Sequence, residues 1–450
     1  ITIAICERRG YFPIIVMAFT FMLYSGMERF PMLMDFSMIG GFYRTHQNTL
    51  IAALAIAILP NKAVMGTLNR IEGRLNISLN KSEKAVFLLG VFIASSLLFA
   101  LNPVDVQRGD YQTVPQHIKN GYIDVKEPAS LALHSIFYRM IYSHFSKTTD
   151  IMESIISSIK FMHAVYGGVF TVIILLLSEE LFEKKTERAI FMLALLGNFA
   201  ILYSFLGSID IYAPTLVGLT TYVLCATRYL NGKSNIYCPS FALAIAANIH
   251  LSNMWFAPTI PLLVLLKHGR LDMECVKKMT KASLVFTISA AALYTPTFME
   301  AYHAWDSMGE KMAYWAGDMG GGDKNAFKAI GTIFSVYNIN LIATEYILIT
   351  MPGLVVVIYG LIKTDVRRIK DDRILTLLTA IFLTYLTYTI VHENDGQLNV
   401  DWNLYTNAAL TTTLFGLKNM RDNDQAIILK AMIIAVIMHS IPLLAGHYST

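Results

Sequence analysis

The chain has 450 residues, of which 55% are apolar and only 15% are charged, and its mean hydropathy is +0.50. Soluble domains average about 25% charged residues, so this composition excludes an ordinary soluble protein and indicates one that lies in lipid. The net charge of +4 comes from 36 basic and 32 acidic residues, with no basic cluster of the kind that binds nucleic acid. We therefore expect membrane lipids, and not nucleic acid, as partners.

Apolar windows of about 20 residues recur along the chain, and each is long enough as a helix to cross a hydrocarbon layer roughly 30 Å thick. Because unpaired backbone groups cannot face lipid, these windows predict α-helices and not the short alternating strands of a barrel. The predicted fold class is an all-α, polytopic integral membrane protein with about 13 transmembrane helices. In chain order they lie at residues 11–27, 45–60, 84–101, 154–178, 189–207, 211–229, 236–266 as two short helices, 281–300, 340–363, 373–391, 403–417 and 425–445.

Basic residues gather in alternate loops. The loops at residues 61–84, 267–281 and 363–373 carry five Lys or Arg each, whereas the loops between them carry the acids. By the positive-inside rule these basic loops are cytoplasmic, the N-terminus is inside and the C-terminus is outside. We expect a multi-pass protein of the plasma membrane in a prokaryote, or of the endoplasmic reticulum in a eukaryote.

The first long outer loop, residues 102–153, contains a candidate catalytic base. Asp110 stands in the turn Arg108-Gly109-Asp110-Tyr111, five residues after Asp105. A carboxylate at this position can deprotonate an incoming hydroxyl, and the glycine permits a tight turn that exposes it. The alternative is a solvated loop aspartate with no chemical role.

The second half of this loop predicts an amphipathic helix over residues 129–147, because apolar residues recur at helical spacing from Leu133 to Ile141. A helix of this kind lies in the membrane interface. In that position His134 and Arg139 are available to lipid headgroups or to a substrate.

The second long outer loop, residues 301–339, combines aromatic residues with the run Gly320-Gly321-Gly322 and contains His303. This composition is typical of a mobile flap that closes over a site. We predict that the flap brings His303 to the substrate.

Asp210 lies in the segment Gly207-Ser208-Ile209-Asp210-Ile211-Tyr212, with almost no loop to solvate it between two predicted membrane helices. An ionisable residue at membrane depth is costly unless it is paired or faces a water-filled cavity. We therefore predict that Asp210 and Tyr212 line a substrate cavity. A plain polar turn is the alternative.

A polar break interrupts the apolar stretch 236–266 at Asn248-Ile249-His250-Leu251-Ser252-Asn253. Broken helices at membrane depth persist only where protein or water satisfies the freed backbone, so a cavity is expected beside the break. His250 and Asn253 are candidate substrate ligands there. A lone histidine more often has a structural role, and that alternative stays open for His250.

A fourth polar group bounds a short outer loop, with His392-Glu393-Asn394-Asp395 before it and Asp401-Trp402 after it. Carboxylates at such a place suit either a divalent cation or sugar hydroxyls, and the spacing does not distinguish the two. The alternative is a solvated acidic loop with Trp402 as an interface anchor. No cofactor is identified beyond this divalent cation, and the four cysteines have no CxxC spacing that would indicate a zinc site.

The order of these elements resembles the C-type glycosyltransferase superfamily (GT-C), whose polytopic members move a sugar from a polyprenyl-phosphate carrier to an acceptor on the outer membrane face. Residues 108–128 look like the first outer loop of that family, and the 207–212 segment is similar to a Gly-x-x-Glu-x-Tyr turn of some prokaryotic members. His250 with its short flanking helices is also similar. Asp401-Trp402-Asn403-Leu404-Tyr405 looks like an Asp-Trp-Asp-Leu-Phe segment, from which Asn403 departs, as Asp210 departs from the glutamate.

The resemblance implies a core at residues 84–417, preceded by N-terminal membrane helices at 1–83 and followed by a C-terminal membrane helix at 418–450. It implies a glycosyltransferase whose catalytic base is Asp110. Outer-side cations would hold the donor phosphate, and further polar residues would line the pocket. The residues assigned to the substrate on this basis are Asp105, Arg108, Lys126, Glu127, His134, Arg139, Asp210, Tyr212, His250, Asn253, His303, Asp401 and Trp402.

Two other classes of function fit the same sequence. Discontinuous helices also build the midplane sites of transporters, so a transporter or lipid flippase is the main alternative to an enzyme. A non-catalytic subunit of a membrane complex, with partner proteins in the membrane, is the other. No Walker-type GxxxxGK[ST], HExxH or GxSxG motif occurs, which disfavours ATP-driven transport and soluble-type hydrolysis.

Overall fold

The computed structural model describes residues 12–27, 47–74, 80–103, 113–121, 128–146, 148, 150–207, 212–304, 334–363, 366–391, 406–420 and 424–448. Every regular element in these ranges is helical, and no strand occurs among them. The predicted all-α fold class is therefore confirmed for the part of the chain that the structure describes.

The helices of the first half differ widely in length, and the longest of them spans residues 151–181. In chain order they are α1 (Phe12–Met27), α2 (Gln47–Ile58), α3 (Asn61–Arg74), α4 (Lys81–Leu101), α5 (Thr113–Asn120), α6 (Pro128–Phe137), α7 (Ile151–Leu181), α8 (Lys185–Leu196) and α9 (Phe199–Phe205). Helix α6 continues through a π-helical turn at Tyr138–Tyr142 and a short helix at Ser143–Phe145.

The helices of the second half complete the bundle. They are α10 (Tyr212–Leu230), α11 (Tyr237–Ile249), α12 (Thr259–His268), α13 (Met273–Ala304), α14 (Val336–Lys363), α15 (Val366–Asp371), α16 (Arg373–Val391), α17 (Thr406–Lys418), α18 (Gln425–Ala435) and α19 (Ile441–Tyr448). Helix α11 packs between α10 and α13, and α14 packs along α17. One apolar core runs through helices from α1 to α19, and its fully buried side chains include Tyr222, Phe256 and Tyr385.

Several helices are long and apolar enough to cross a membrane, as expected of a membrane protein. The count in the described residues is four, or six if each of two bent helix pairs is one broken span. The predicted number of about 13 spans is therefore not confirmed. The four single helices that pass the test are Lys81–Leu101, Ile151–Leu181, Arg373–Val391 and Gln425–Ala445.

The predicted division of residues 236–266 into two short helices is confirmed. Helix α11 ends at Ile249, a 3-10 helix follows at Leu251–Phe256, and α12 begins at Thr259. At His250 the backbone is extended (φ −154°, ψ 125°), and this conformation ends the helical hydrogen bonding of α11.

The predicted single helix over residues 189–207 is wrong, because the chain bends by 68° between α8 and α9. Asn198 lies at the bend, where its Oδ1 accepts a hydrogen bond from Ile201 N (3.2 Å) and its Nδ2 donates to Ile349 O (2.9 Å). An asparagine that caps a new helix in this way competes with continuation of the preceding one. A second bend, of 93° between α2 and α3, follows Pro60, whose ring cannot continue α2.

The predicted amphipathic helix over residues 129–147 is present as α6 with its π-helical continuation. One face of it is buried against the bundle and carries Leu131 and His134. On the opposite face Ile136 is 54% exposed and Met140 is 70% exposed. The helix therefore presents an apolar side to the surroundings, as an interfacial helix does.

Helix α5 is not predicted from the sequence, because eight residues are too few to show a clear apolar period. Its Val114 and Ile118 lie one turn apart and pack with Leu131 of α6. All three are buried against Ile155 and Ile159 of α7. Helices α5 and α6 thus share a small apolar core with the first turns of α7.

Helix ends that the charge pattern assigns to the cytoplasm lie together at one end of the bundle. Lys84, at the start of α4, pairs with Glu179 near the end of α7 (2.5 Å). The next residue, Glu180, pairs with Arg228 at the end of α10 (3.3 Å) and with Lys233 just beyond it (2.8 Å). Helices α4, α7 and α10 therefore share an end, and the positive-inside rule predicts that this end is cytoplasmic.

Helices α1 and α2 pack against α18, which is far from them along the chain. Phe12 of α1 lies edge-on to Tyr359 of α14, with ring centroids 4.7 Å apart. Lys430 of α18 is buried, and its Nζ donates a hydrogen bond to Leu59 O just after α2 (2.9 Å). The predicted N-terminal and C-terminal membrane segments are thus neighbours in space.

Candidate functional site

Helix α7 carries polar side chains toward the end that lies away from the ion pairs described above. Asp150 caps its first turn by accepting a hydrogen bond from Met152 N (2.8 Å). Farther along, Lys160, His163 and Tyr166 follow at helical spacing within a helix that is apolar enough to span a membrane. Ionisable residues in such helices are rare and mark functional sites. None of these three residues is among the predicted site residues. Their recurrence at every third position is the sequence signal that could have identified them.

Lys160 lies against Gly207, which follows α9. A Cβ atom on Gly207 would stand 3.0 Å from Lys160 Cγ, and the φ of Gly207 is +92°. That backbone conformation favours glycine, and the close approach of Lys160 leaves little room for a side chain. Residues 208–211, which include the predicted site residue Asp210, lie outside the described residues.

Tyr212 begins α10, five residues after Gly207, and lies against His250. The two ring centroids are 5.5 Å apart, and His250 is buried. The Nδ1 atom of His250 accepts a hydrogen bond from Ser252 N (3.1 Å) and lies 2.7 Å from Ser252 Oγ. With Nδ1 as the acceptor, the neutral ring carries its proton on Nε2, and we assign an N–H donor to that atom. The structure thus brings two predicted site residues, Tyr212 and His250, into contact.

Asn253, a third predicted site residue, is fully buried and supports the helix break. Its Nδ2 donates to Ala246 O (2.9 Å), and its Oδ1 accepts from Asn407 Nδ2 (3.4 Å). On the other side of α11, Asn248 Nδ2 donates to Ala290 O of α13 (3.3 Å). These amides hydrogen-bond backbone groups near the break, which lipid cannot do. The role of Asn253 as a substrate ligand stays a prediction.

His134 of α6 points into the bundle and not toward lipid headgroups, because it lies one turn from the buried Leu131 on the same helix face. Its side chain is 1% exposed, and its Nδ1 lies 2.8 Å from Ser130 O. Ring centroids of His163 and Tyr166 lie 5.3 Å and 5.8 Å from that of His134. Burial lowers the pKa of His134 to about 4. The imidazole is therefore neutral at physiological pH.

Arg139 lies at the exposed edge of the same helical segment and connects it to α5. Its Nη2 donates to Ile118 O in the last turn of α5 (3.3 Å). Gly121, with φ +73°, follows α5, and a Cβ atom there would stand 2.7 Å from Arg139 Nη2. A cation at the C-terminal end of a helix is favourable because the helix dipole is negative there. Arg139 thus connects α5 with the α6 segment and keeps an exposed side.

Most of the other predicted site residues lie outside the described residues. His303 falls in the last turn of α13, where the structure describes only the backbone. The predicted flap is described only at its ends, at residues 301–304 and 334–339. The candidate base Asp110 and the predicted substrate residues Asp105, Arg108, Lys126, Glu127, Asp210, Asp401 and Trp402 are not among the described residues.

Three basic side chains, Arg139, Lys160 and His250, lie on or beside helices at this end of the bundle, together with the acidic Asp150 and Glu153 at the start of α7. No group of three or more His, Cys, Asp or Glu residues in the described ranges is arranged to hold a metal ion. Helix α6 packs against both α7 and α11, so Lys160 lies on, and Arg139 and His250 lie just beyond, helices that meet. Cations and N–H donors of this kind bind an anion, and a phosphate is the anion that membrane lipids most often offer.

Neither a protein-family model nor a curated protein sequence matches this chain. The likeness to GT-C enzymes stays a prediction from short motifs. Function is therefore argued from the residues of this chain.

Proposed function

We propose that this chain is a membrane glycosyltransferase that moves a sugar from a polyprenyl-phosphate donor to an acceptor on the non-cytoplasmic face. The observation that carries the proposal is that a side chain with N–H donors contacts each of the two residues that flank the segment 208–211. Lys160 lies against Gly207, and His250 lies against Tyr212. Ammonium and imidazole N–H groups bind phosphate oxygens through charge-assisted hydrogen bonds, so these two side chains are suited to hold a donor phosphate.

In the proposed reaction, an acceptor oxygen attacks the anomeric carbon of the sugar while the bond from that carbon to the carrier phosphate breaks. Negative charge grows on the departing phosphate oxygen. Lys160 and the Nε2–H of His250 would stabilise this charge, because fixed donors lower the energy of a transition state in which charge develops. Asp110, from the predicted outer loop, would accept the proton of the acceptor hydroxyl.

A lipid-linked donor also needs an apolar surface beside the site. The end of α4 exposes Leu98 (62%) and Leu101 (78%), and the outer face of the α6 segment exposes Ile136 (54%) and Met140 (70%). Arg139 adjoins this apolar face and is exposed. An apolar face with a basic edge favours a lipid tail together with its phosphate.

A transporter is the second candidate, because α11 and α12 form a discontinuous pair of the kind that builds transport sites. Transport requires access to the site from both ends of the bundle. At the opposite end of the bundle, Glu179 and Glu180 form ion pairs with residues of other helix ends. Lys418 Nζ also donates a hydrogen bond to Leu181 O there (3.0 Å). These contacts tie helix ends together on that side, which favours a site open to the outer side only.

The test uses the purified full chain in liposomes, with tritiated polyprenyl-phosphate mannose, glucose and arabinose as donors and a membrane extract as the source of acceptors. We expect one labelled sugar to enter a product that chloroform–methanol does not extract. Asp110→Asn should abolish this transfer, and Lys160→Met should slow it about a hundredfold, as loss of one charge-stabilising donor does. Lys233→Met, at the opposite end of α10, is the matched control and should leave the rate unchanged.

Two results would overturn the proposal. Equal transfer rates in Lys160→Met and Lys233→Met would remove Lys160 from the reaction. No transfer from any of the three donors, combined with their saturable movement across the liposome bilayer, would establish the transporter instead.

A further inference from the structure

Two imidazole rings and one phenol ring meet where α6 packs against α7. His134 comes from α6, while His163 and Tyr166 lie one turn apart on α7. The ring centroids are 5.3 Å apart for His134 and His163, 5.8 Å for His134 and Tyr166, and 6.3 Å for His163 and Tyr166. Both histidines are buried, with 1% and 0% of their surface exposed. The phosphate site proposed above does not include this cluster.

The hydrogen bond of His134 determines which of its nitrogens faces the cluster as an acceptor. Nδ1 lies 2.8 Å from Ser130 O, and a carbonyl only accepts, so Nδ1 carries the proton. Nε2 then presents a lone pair, and within the described residues neither this atom nor Tyr166 Oη has a hydrogen-bond partner. A buried polar atom left in this way is costly, and native proteins usually pair such atoms with water or an ion.

We propose that His134, His163 and Tyr166 bind a first-row transition-metal dication, with Zn²⁺ as the typical occupant. Neutral imidazole is a common ligand of Zn²⁺ and related ions, and a tyrosine phenolate offers an anionic oxygen ligand, as it does to iron in some haem proteins. Metal-bound histidines commonly donate the N–H of the other ring nitrogen to a carbonyl oxygen, which is the arrangement of His134 with Ser130.

The ring spacing agrees with a shared metal ion. At Zn–N distances of about 2.0–2.1 Å, two imidazoles in tetrahedral positions have centroids roughly 5 Å apart, and an imidazole and a phenolate have centroids roughly 6 Å apart. The three observed separations fall near these values. Tyr166, deprotonated by the ion, would supply the negative charge that a dication needs in a buried place. The ion would tie the outer helix α6 to the long helix α7.

The test measures metal binding by the purified full chain, independently of any activity. The protein in detergent is stripped with a chelator and titrated with Co²⁺, whose visible absorption reports tetrahedral coordination, and bound Zn²⁺ is counted by mass spectrometry. We expect one ion per chain. His134→Gln and His163→Gln should each lower the affinity at least tenfold, as loss of a ligand does, and Tyr166→Phe should weaken it as well.

The control and a rescue variant separate binding from misfolding. His144→Gln changes an exposed histidine of the same helical segment and should bind like the parent chain. His134→Cys replaces one ligand with another and should restore Co²⁺ binding, with a new thiolate-to-metal absorption band. The proposal is overturned if the parent chain binds neither Co²⁺ nor Zn²⁺, as a cluster that holds only water would behave. It is overturned equally if binding survives in both His134→Gln and His163→Gln.

Discussion

Lys430 of α18 donates a hydrogen bond at 2.9 Å to the backbone oxygen of Leu59, which lies 371 residues earlier in the chain. The same amine lies 3.4 Å from Ala57 O, and the Lys430 side chain is almost fully buried. The last carbonyls of a helix have no partner within it, and Pro60 prevents α2 from continuing. The bend between α2 and α3 is thus completed by a side chain from the other end of the bundle.

Replacement of Lys430 by methionine should destabilise the fold, because the carbonyls after α2 lose a charged donor in a buried place. Hydrogen bonds to charged groups contribute about 1.5–3 kcal/mol, and we expect a loss of about 2 kcal/mol in the free energy of unfolding. Denaturant unfolding in detergent measures it. Lys278→Met, which removes an exposed lysine, is the control, and equal stability of the two variants would show that the Lys430 contact does not matter.

Gly207→Ala should also destabilise the fold, because alanine is strained at φ +92° and its Cβ would stand 3.0 Å from Lys160 Cγ. Left-handed conformations cost non-glycine residues about 1–2 kcal/mol. Gly90→Ala should instead stabilise the fold, because a Cβ atom there meets nothing within 4 Å and alanine is favoured over glycine in a helix by about 1 kcal/mol. A thermal melt that shifts both variants in the same direction would contradict this account of Gly207.

Gly168→Ala should loosen α4 from α7. A Cβ atom on Gly168 would stand 2.0 Å from Ser96 Oγ and 2.8 Å from Phe92 O, so the two helices would have to separate. Overpacking of this kind costs about 1–3 kcal/mol. Limited trypsin digestion at Lys84 should become faster, and an unchanged cleavage rate would mean that the contact adapts without separation. Gly66→Ala, where a Cβ atom meets nothing within 4 Å, is the matched control.

The stability of the metal-free protein should fall as the pH is lowered from 6.5 toward 4. The folded-state pKa of His134 is about 4 because the ring is buried, whereas the ordinary value is 6.5. Between these values the unfolded chain binds the proton more readily than the folded chain does. The contribution of the neutral His134 ring to stability is therefore complete above pH 6.5 and is lost as the pH falls. The total is at most about 3 kcal/mol. His134→Gln should flatten the profile measured by unfolding at each pH, while His144→Gln should keep the slope.

The predicted orientation in the membrane can be tested with single cysteines in a chain whose native cysteines are replaced by serine. A membrane-impermeant maleimide should label Met140→Cys on intact cells, because α6 is predicted on the outer side. It should label Lys233→Cys only after the cells are permeabilised. The reverse pattern would invert the topology, and with it the side on which the proposed reaction occurs.

The positions of most helices follow from apolar windows alone, because lipid requires about 20 apolar residues for each crossing. The predicted helix at residues 373–391 has the bounds of α16, and the break at His250 follows from basic loops on both sides of one apolar stretch. The bend at Asn198 cannot be predicted in this way. A single asparagine is compatible with a continuous helix, and its acceptor, Ile349 O, is supplied by tertiary packing.

The candidate site shows the same limit. Tyr212 and His250 each stand out in the sequence as polar residues near a helix end, but their contact depends on how α10 and α11 pack. Lys160 and His163 do not show in the mean hydropathy of α7, because two polar residues change little in an average over its 31 residues. The inward direction of His134 depends on α5 and α7, whose packing on α6 no local pattern reveals.

The packing of α1 and α2 against α18 also sets an order of events during synthesis. A ribosome adds about 5–20 residues per second, so the 371 residues between Leu59 and Lys430 take roughly 20–75 s to make. During that interval the carbonyls after α2 lack their lysine donor, and α1 and α2 lack the helix α18 against which they pack. Insertion factors that shield polar groups in the bilayer would therefore be needed at α2 throughout the interval before α18 is made.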